Sequence, residues 1–409
     1  MITGRRVVVT GGGLASSLGF DLETVFTRLH SLENCVKLMD EWDIFPQMNT
    51  RLAAPVELIM PNFPRKKIRG MGRVARLALV ATDSAMRCAG LEESPELTMG
   101  RFGIAYGSSM SSVDAMLEIY GMLITKEMKS IDATTYIRAM PQTCAANLEV
   151  FYSLTGRLIT CNTACTSGSM AIGSAYEAIR NGVQDIMIAG GADELSAVDA
   201  AVFDTLFAAS SKNEYPKKTP AAYDVNRDGL VVGEGAGTLI LEEYEHAIQR
   251  GAKMYAEIIG FGTNTDGTHI TQGNRQAQSK ALKLALSDAG ITPDHIGYVN
   301  THGTATGAGD LAETHAMFDV FQRAVPISTL KNYTGHTLGA CGAIEAWISI
   351  AMMNQGWFIP NINLVDLDPE LAPLDYITGT GRNIDTDCIM SNNFAFGGIN
   401  TSLIFRKVR

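Results

Sequence analysis

The chain has 409 residues, 46% hydrophobic and 19% charged, which excludes an intrinsically disordered polymer and leaves length for roughly two or three domain-sized units. Asp and Glu outnumber Lys and Arg by 43 to 33, a net charge of −10, which argues against a general nucleic-acid binder. Seven cysteines without a CxxC pair suggest neither a zinc ribbon nor a disulfide framework, and they fit a reducing cytoplasm.

In chain order, the opening MITGRRVVVTGGG has no apolar core of signal-peptide length. No later stretch approaches the ~18 apolar residues of a membrane span. Arg6–Thr10 predicts a buried strand ending at Gly11-Gly12-Gly13, and Ser16 stands where a dinucleotide loop needs its third glycine. Pro61–Arg76 holds Arg65, Lys66, Lys67, Arg69, Arg73 and Arg76 with no acidic residue. The 3, 4, 3 spacing of Lys66, Arg69, Arg73 and Arg76 predicts one basic helical face. Such a face is commonly only solvated, but on an acidic protein it suits an acidic partner. Phe102–Tyr106 predicts a second strand, followed by Gly107-Ser108-Ser109.

The turn Ala164–Gly168 opens a helix running to Asn181-Gly182, and Asp185–Ala189 is a further strand ending at Gly190-Gly191. Asp224–Gly229 begins like a calcium loop but has Gly235 where the twelfth-position Glu belongs. Leu239–Leu241 and Ala256–Ile259 are strand-like on either side of a short junction at 251–255. Ile296–Val299 and Val325–Ser328 follow, then Gly339–Ala343 opens a second Ala- and Met-rich helix to Gln355-Gly356. Apolar strands alternating with helices argue for an α/β protein with a sheet covered on both faces. Two buried helices with similar starts suggest two related halves, 1–250 and 251–409.

Cys165 is the first candidate for chemistry. A thiol at a helix start feels the positive end of the dipole and unsatisfied N–H groups, which predicts a lowered pKa. The bland alternative is an inert buried cysteine, the reading that also fits Cys161. His302 and His336 each follow a strand-like run and sit among Gly and Thr, with Lys331 close to the second. His30, His246, His295 and His315 lie in polar surroundings and read as surface residues.

Together these residues resemble a family. Thr163-Ala164-Cys165-Thr166-Ser167-Gly168, His302-Gly303-Thr304-Ala305-Thr306, Lys331 with Gly335-His336, and Asn393–Asn400 (NFAFGGIN) are similar in order and spacing to the β-ketoacyl-acyl-carrier-protein synthases of types I and II. The resemblance implies the thiolase fold, two pseudo-symmetric halves layered α-β-α-β-α, acting as a dimer. It implies that Cys165 accepts the acyl group, that His302 and His336 are catalytic, and that Lys331 and the buried Glu345 support them. It further implies that the N–H groups of Cys165 and Phe396 form an oxyanion hole. Met110, Thr271, Thr304, Thr306 and Phe396 would contact substrate. The basic residues Arg65, Lys66, Arg69 and Arg73, with Lys126, Lys129 and Lys212, would receive an acidic acyl carrier protein. No metal or resident cofactor is implied, because the phosphopantetheine arrives on the carrier protein.

The implied reaction is decarboxylative condensation of an acyl chain with malonyl-carrier protein, in fatty acid or polyketide-like synthesis. Cys341 follows Gly339-Ala340 and reads as packing. Met110, Ala395, Ile399 and Thr271-Gln272-Gly273 depart from the usual pattern and leave the acyl substrate open. The alternative is a non-catalytic or chain-length-setting partner subunit of a heterodimer with a related chain, which the presence of Cys165 disfavours.

Overall fold

A computed structural model describes residues 4–408. Residues 1–3 and 409, the outer ends of the two expected halves, lie outside the described residues. Ten strands carry the architecture. The first five are β1 (Val7–Ser16), β2 (Phe102–Gly107), β3 (Leu158–Cys161), β4 (Ile186–Asp193) and β5 (Gly235–Glu243). The second five are β6 (Ala256–Thr265), β7 (Tyr298–Asn300), β8 (Pro326–Ser328), β9 (Cys388–Ala395) and β10 (Ile399–Arg406).

In space the first set runs β3-β2-β4-β5-β1 and the second β8-β7-β9-β10-β6. Numbered within its own set, each has the order third, second, fourth, fifth, first. The directions match too: third, second and fourth strands are parallel, and the fifth is antiparallel to the fourth and first. The duplication expected from two helix starts therefore extends to the whole topology. One difference from two stacked sheets is a seam. Val7–Val9 of β1 pair antiparallel with Ala256–Ile258 of β6, and the two sets become one continuous sheet.

The helices follow the same duplication. Between strands of the first half lie α1 (Arg73–Ala89), α2 (Thr143–Tyr152) and α3 (Ser167–Arg180). In the second half lie α4 (Arg275–Ala289), α5 (Gly307–Phe321) and α6 (Cys341–Gln355). Three apolar cores separate the layers. One is shared by α1, α2 and the first strands, one by α4, α5 and the second strands, and the largest surrounds α3 and α6 between them. This is the α-β-α-β-α arrangement. In α6 every residue from Cys341 to Met353 is buried, as an all-round apolar helix requires.

The sequence pattern ends β1 and β4 at their glycines, yet both strands run through them. The reason is close packing rather than turning. A Cβ at Gly13 would stand 2.1 Å from the Ala81 carbonyl of α1, and one at Gly12 would stand 2.3 Å from the Trp347 ring of α6. Gly191 likewise admits the backbone of Gly339 and Gly168, so the starts of α3 and α6 meet at the centre of the molecule.

Candidate active site

Cys165 lies in a tight 3-10 turn, Ala164–Thr166, between β3 and α3. Ala164 adopts φ +50°, a conformation disfavoured for a residue with a Cβ. Small hydroxyl residues hold the turn: Ser167 Oγ donates to the Ala164 carbonyl at 2.7 Å, and Thr166 Oγ1 donates to the Thr163 carbonyl at 2.7 Å. The second half repeats the device. Leu338, also at φ +50°, opens the 3-10 turn Leu338–Ala340 ahead of α6. Cys165 and Gly339 thus hold corresponding places.

His336 enters from the turn before that second start. Gly335 has φ +65°, and a Cβ there would meet the Val231 carbonyl at 2.7 Å, so the position is restricted to glycine. The Leu338 N–H donates to His336 Nδ1 at 3.2 Å, which leaves the ring proton on Nε2. His302 follows β7. Its own N–H and that of Gly303 donate to the Glu313 carboxylate of α5, both at 2.7 Å. The two imidazoles stand edge to face with centroids 5.1 Å apart. One donor atom from each of Cys165, His302 and His336 lies within 4.8 Å of the others, and all three residues are buried.

Beneath them is a polar cluster. Lys331 Nζ donates to Glu345 at 2.5 Å, and Asn393 Nδ2 donates to the other Glu345 oxygen at 2.7 Å. The Cys341 thiol donates to the Cys165 carbonyl at 3.2 Å and has the Asn393 amide at 3.5 Å, which fits packing beside the Cys165 turn.

Electrostatics correct one expectation. Burial pushes the Cys165 thiol up to about 12; the Lys331 charge and the N–H groups of Cys165 and Phe396 pull the other way without offsetting it. Cys165 therefore rests as a thiol, not as the low-pKa thiolate that its helix start suggested. Burial, reinforced by the Lys331 ammonium, holds both histidines well below their ordinary range, so they are neutral imidazoles. Burial works against the Lys331 charge as well, but negative neighbours, Glu345 among them, hold it above its usual range. The arrangement pairs a thiol with neutral bases that can receive its proton, and aims two backbone N–H donors at the same sulfur. Cysteine and two histidines also form a donor set that zinc accepts, but such a metal would consume the thiolate.

The three residues open on a cavity of about 480 Å³ whose wall includes Thr271, Thr304, Thr306 and Phe396. Phe396 lies in the turn between β9 and β10, followed by Gly397 at φ +86° and Gly398 at φ +70°. Its ring packs 5.5 Å from that of Phe203. Met110 lies outside this cavity. Its N–H donates to Asp193 at 3.1 Å, because Ser108–Met110 wraps around that carboxylate.

The basic residues divide. The expected single helical face does not form: a short helix, Arg65–Ile68, ends before Gly70, and α1 starts afresh at Arg73. Gly72 passes close to Ser112, where a Cβ would meet the hydroxyl at 2.5 Å, so the chain bends there. Arg65, Lys66 and Arg69 are exposed. Arg73 instead turns inward, donating to Glu234 at 2.6 and 2.8 Å and to the Val56 carbonyl at 2.8 Å. Lys212 donates to the Asn226 carbonyl at 2.7 Å, Lys129 pairs with Glu127, and Lys126 caps the helix Val113–Thr125.

Sequence reasoning missed Glu313 and Asp193. The sign of Glu313 was an acidic residue on the apolar stripe of α5, between Asp310 and Met317. Asp193 ends a strand and gave no sign at all.

The chain matches the model of the β-ketoacyl synthase N-terminal domain over residues 4–247 and that of the C-terminal domain over residues 255–365. It is 36% identical over 409 residues to 3-oxoacyl-[acyl-carrier-protein] synthase 1 of Haemophilus influenzae, covering 98% of this chain and 99% of that protein. It is 34% identical over 412 residues to the protein of the same name from Escherichia coli, covering 99% and 100%. A crystal structure of a β-ketoacyl synthase from Burkholderia phymatum superposes with TM-score 0.98 at 50% identity, covering 99% of this chain and all of that one. A ketosynthase in complex with its type II polyketide acyl-carrier protein superposes with TM-score 0.89 at 29% identity, covering 99% and 100%.

Proposed function

The chain belongs to the β-ketoacyl synthase family, and from that premise we propose a decarboxylating condensing enzyme that works on carrier-bound thioesters. The observation that carries the reading is the convergence of Cys165, His302 and His336 at one end of a single cavity. In the first step the Cys165 sulfur attacks an acyl-carrier thioester, and a neighbouring imidazole receives the thiol proton. The oxyanion forms between the N–H groups of Cys165 and Phe396, and the carrier leaves as its thiol. In the second step malonyl-carrier protein loses carbon dioxide. Negative charge moves to its thioester oxygen, where His302 and His336 as neutral rings can donate N–H. The resulting carbanion attacks acyl-Cys165, giving 3-oxoacyl-carrier protein and freeing the sulfur.

These steps call for no organic cofactor beyond the arm on the carrier, and the imidazole donors do what a Lewis acid would do. Lys331 and Glu345 position the donors and hold the charge balance. Thr304, Thr306, Thr271 and Phe396 bind the arriving thioester; exposed Lys66 and Arg69 receive the acidic carrier. The two structural units are taken as 1–250 and 251–409, a reading supported by the repeated strand order on either side of the junction. Seven cysteines without a CxxC pair support a cytoplasmic setting. No helix among the described residues is long and apolar enough to cross a membrane.

Two sets of variants test the reading by intact mass and product analysis. Cys165→Ala is expected to form no acyl-enzyme and no 3-oxoacyl product while keeping its fold. His302→Ala and His336→Ala each keep one imidazole to receive the thiol proton, so each is expected to acylate Cys165 yet condense ~10²–10³-fold more slowly, the usual cost of an oxyanion donor. Product from Cys165→Ala would end the mechanism. Failure of both histidine variants to acylate would overturn the division between the two steps.

A further inference from the structure

The helix Ala197–Thr205 ends in a turn that a glycine would ordinarily close, and the residue there is Phe207. Its φ is +53°, its N–H donates to the Asp204 carbonyl at 3.0 Å, and the Ala208 N–H donates to the Phe203 carbonyl at 2.9 Å. The backbone is therefore held in a conformation that is costly for a residue with a side chain. It is also 89% exposed. Neither packing nor backbone geometry accounts for an aromatic residue at this point.

Its location does. Phe207 lines the same continuous cavity as Cys165, His302 and His336. Leu206 lines it as well and is itself exposed. Ile270, 75% exposed, precedes cavity-lining Thr271, and its carbonyl accepts the Gly397 N–H at 2.6 Å beside Phe396. The entrance to the catalytic cavity thus bears an apolar collar. Any thioester reaching Cys165 through this cavity passes it.

We propose that Phe207, with Leu206 and Ile270, is the portal of the cavity and packs on the dimethyl-bearing pantoyl unit of the incoming pantetheine arm. The inference rests on the condensing-enzyme reading and adds to it a residue that recognises the arm rather than the acyl chain. The pantoyl unit carries two methyl groups on one carbon, an apolar shape on an otherwise amide-rich arm, and an aromatic face suits it.

The test compares two small substrates for Cys165 acylation: acyl-pantetheine, and acyl-N-acetylcysteamine, which lacks the pantoyl unit. The quantity read is the ratio of their kcat/KM values. Phe207→Gly should lower that ratio roughly five- to twenty-fold, the scale of a partly buried aromatic contact, through KM rather than kcat. Phe207→Trp should restore it. Because glycine suits the left-handed turn, Phe207→Gly should keep or raise Tm, so lost folding cannot mimic the result. An unchanged ratio, or a ratio that falls equally with Phe207→Trp, overturns the proposal. A loss seen only with acyl-carrier protein also overturns it, since the ring would then touch the carrier's surface. If the parent chain forms no 3-oxoacyl product, the condensing-enzyme reading has failed; if it does and the ratio stays fixed, only the portal has failed.

Discussion

The Cys165 sulfur must lose its proton before it can attack, and burial sets the terms. With the thiol pushed up to about 12, its thiolate fraction rises tenfold with each pH unit throughout the neutral range. Alkylation of Cys165 by iodoacetamide, followed on its own peptide by mass spectrometry, should therefore keep climbing from pH 7 to 9.5. A plateau near pH 8.5 would contradict the burial argument. The histidines run the other way. Their neutral form persists as pH falls through 6.5, so condensation by pre-acylated enzyme should hold between pH 7.5 and 6. A half-loss centred at pH 6.5 would mean ordinary imidazoles. At this scale the sequence was informative where backbone geometry demanded small residues: Gly303, Gly335 and the Thr-Ala-Cys-Thr-Ser run marked the three reacting side chains. It was weakest where folding supplies the environment. Glu313 meets His302 from the next helix, eleven residues on, with only an acidic residue on an apolar stripe to mark it, and the thiol's pKa depends on a burial that no local motif encodes.

At the scale of elements, spacing misled where glycine intervened. Lys66, Arg69, Arg73 and Arg76 have helical periodicity, yet Gly70 and Gly72 break the helix between them. The pieces consequently differ in behaviour. Arg69→Glu should raise KM for carrier-bound substrates, and the effect should shrink in high salt because exposed charges are screened beyond ~8–10 Å. Arg73→Glu should instead lower Tm, costing on the order of 2–3 kcal/mol, since it removes charge-assisted bonds to Glu234 and sets a second carboxylate against it. Thermal melting beside carrier kinetics separates the two; a salt-dependent KM effect from Arg73 with an unmoved Tm would reverse the assignment. The strands teach the same lesson. Gly11–Gly13 mark helix contacts on both faces of β1, which cannot be distinguished from a turn until α1 and α6 are in place.

For the whole molecule, the sheet leaves β3 as a free edge. The helix Val113–Thr125, which follows the adjacent strand β2, exposes Leu117, Tyr120, Leu123 and Ile124, the last at 80%. An open edge and an unsatisfied apolar row favour pairing with a second copy. Sedimentation should give twice the mass of one chain, and Leu123→Glu with Ile124→Glu should yield monomers. A monomeric parent, or a variant that still pairs, would remove the row from the interface. Two related halves could be foreseen from two similar helix starts, but the β1–β6 seam could not, because three backbone pairings leave no mark in side-chain pattern.

The repeated turn at the centre has one more consequence. In the first half the Cys165 N–H faces its own sulfur, where the proposed mechanism puts an oxyanion. In the second, the Gly339 N–H is already bound to the Asp193 carboxylate at 2.6 Å, and a Cβ at Gly339 would collide with that carboxylate at 2.7 Å. One copy of the device is bound to a carboxylate, and the other faces the sulfur of Cys165. Asp193 is a built-in stand-in for the transient anion. If the proposed mechanism holds, the two related turns do different work, one meeting a transient anion and the other braced on a standing carboxylate.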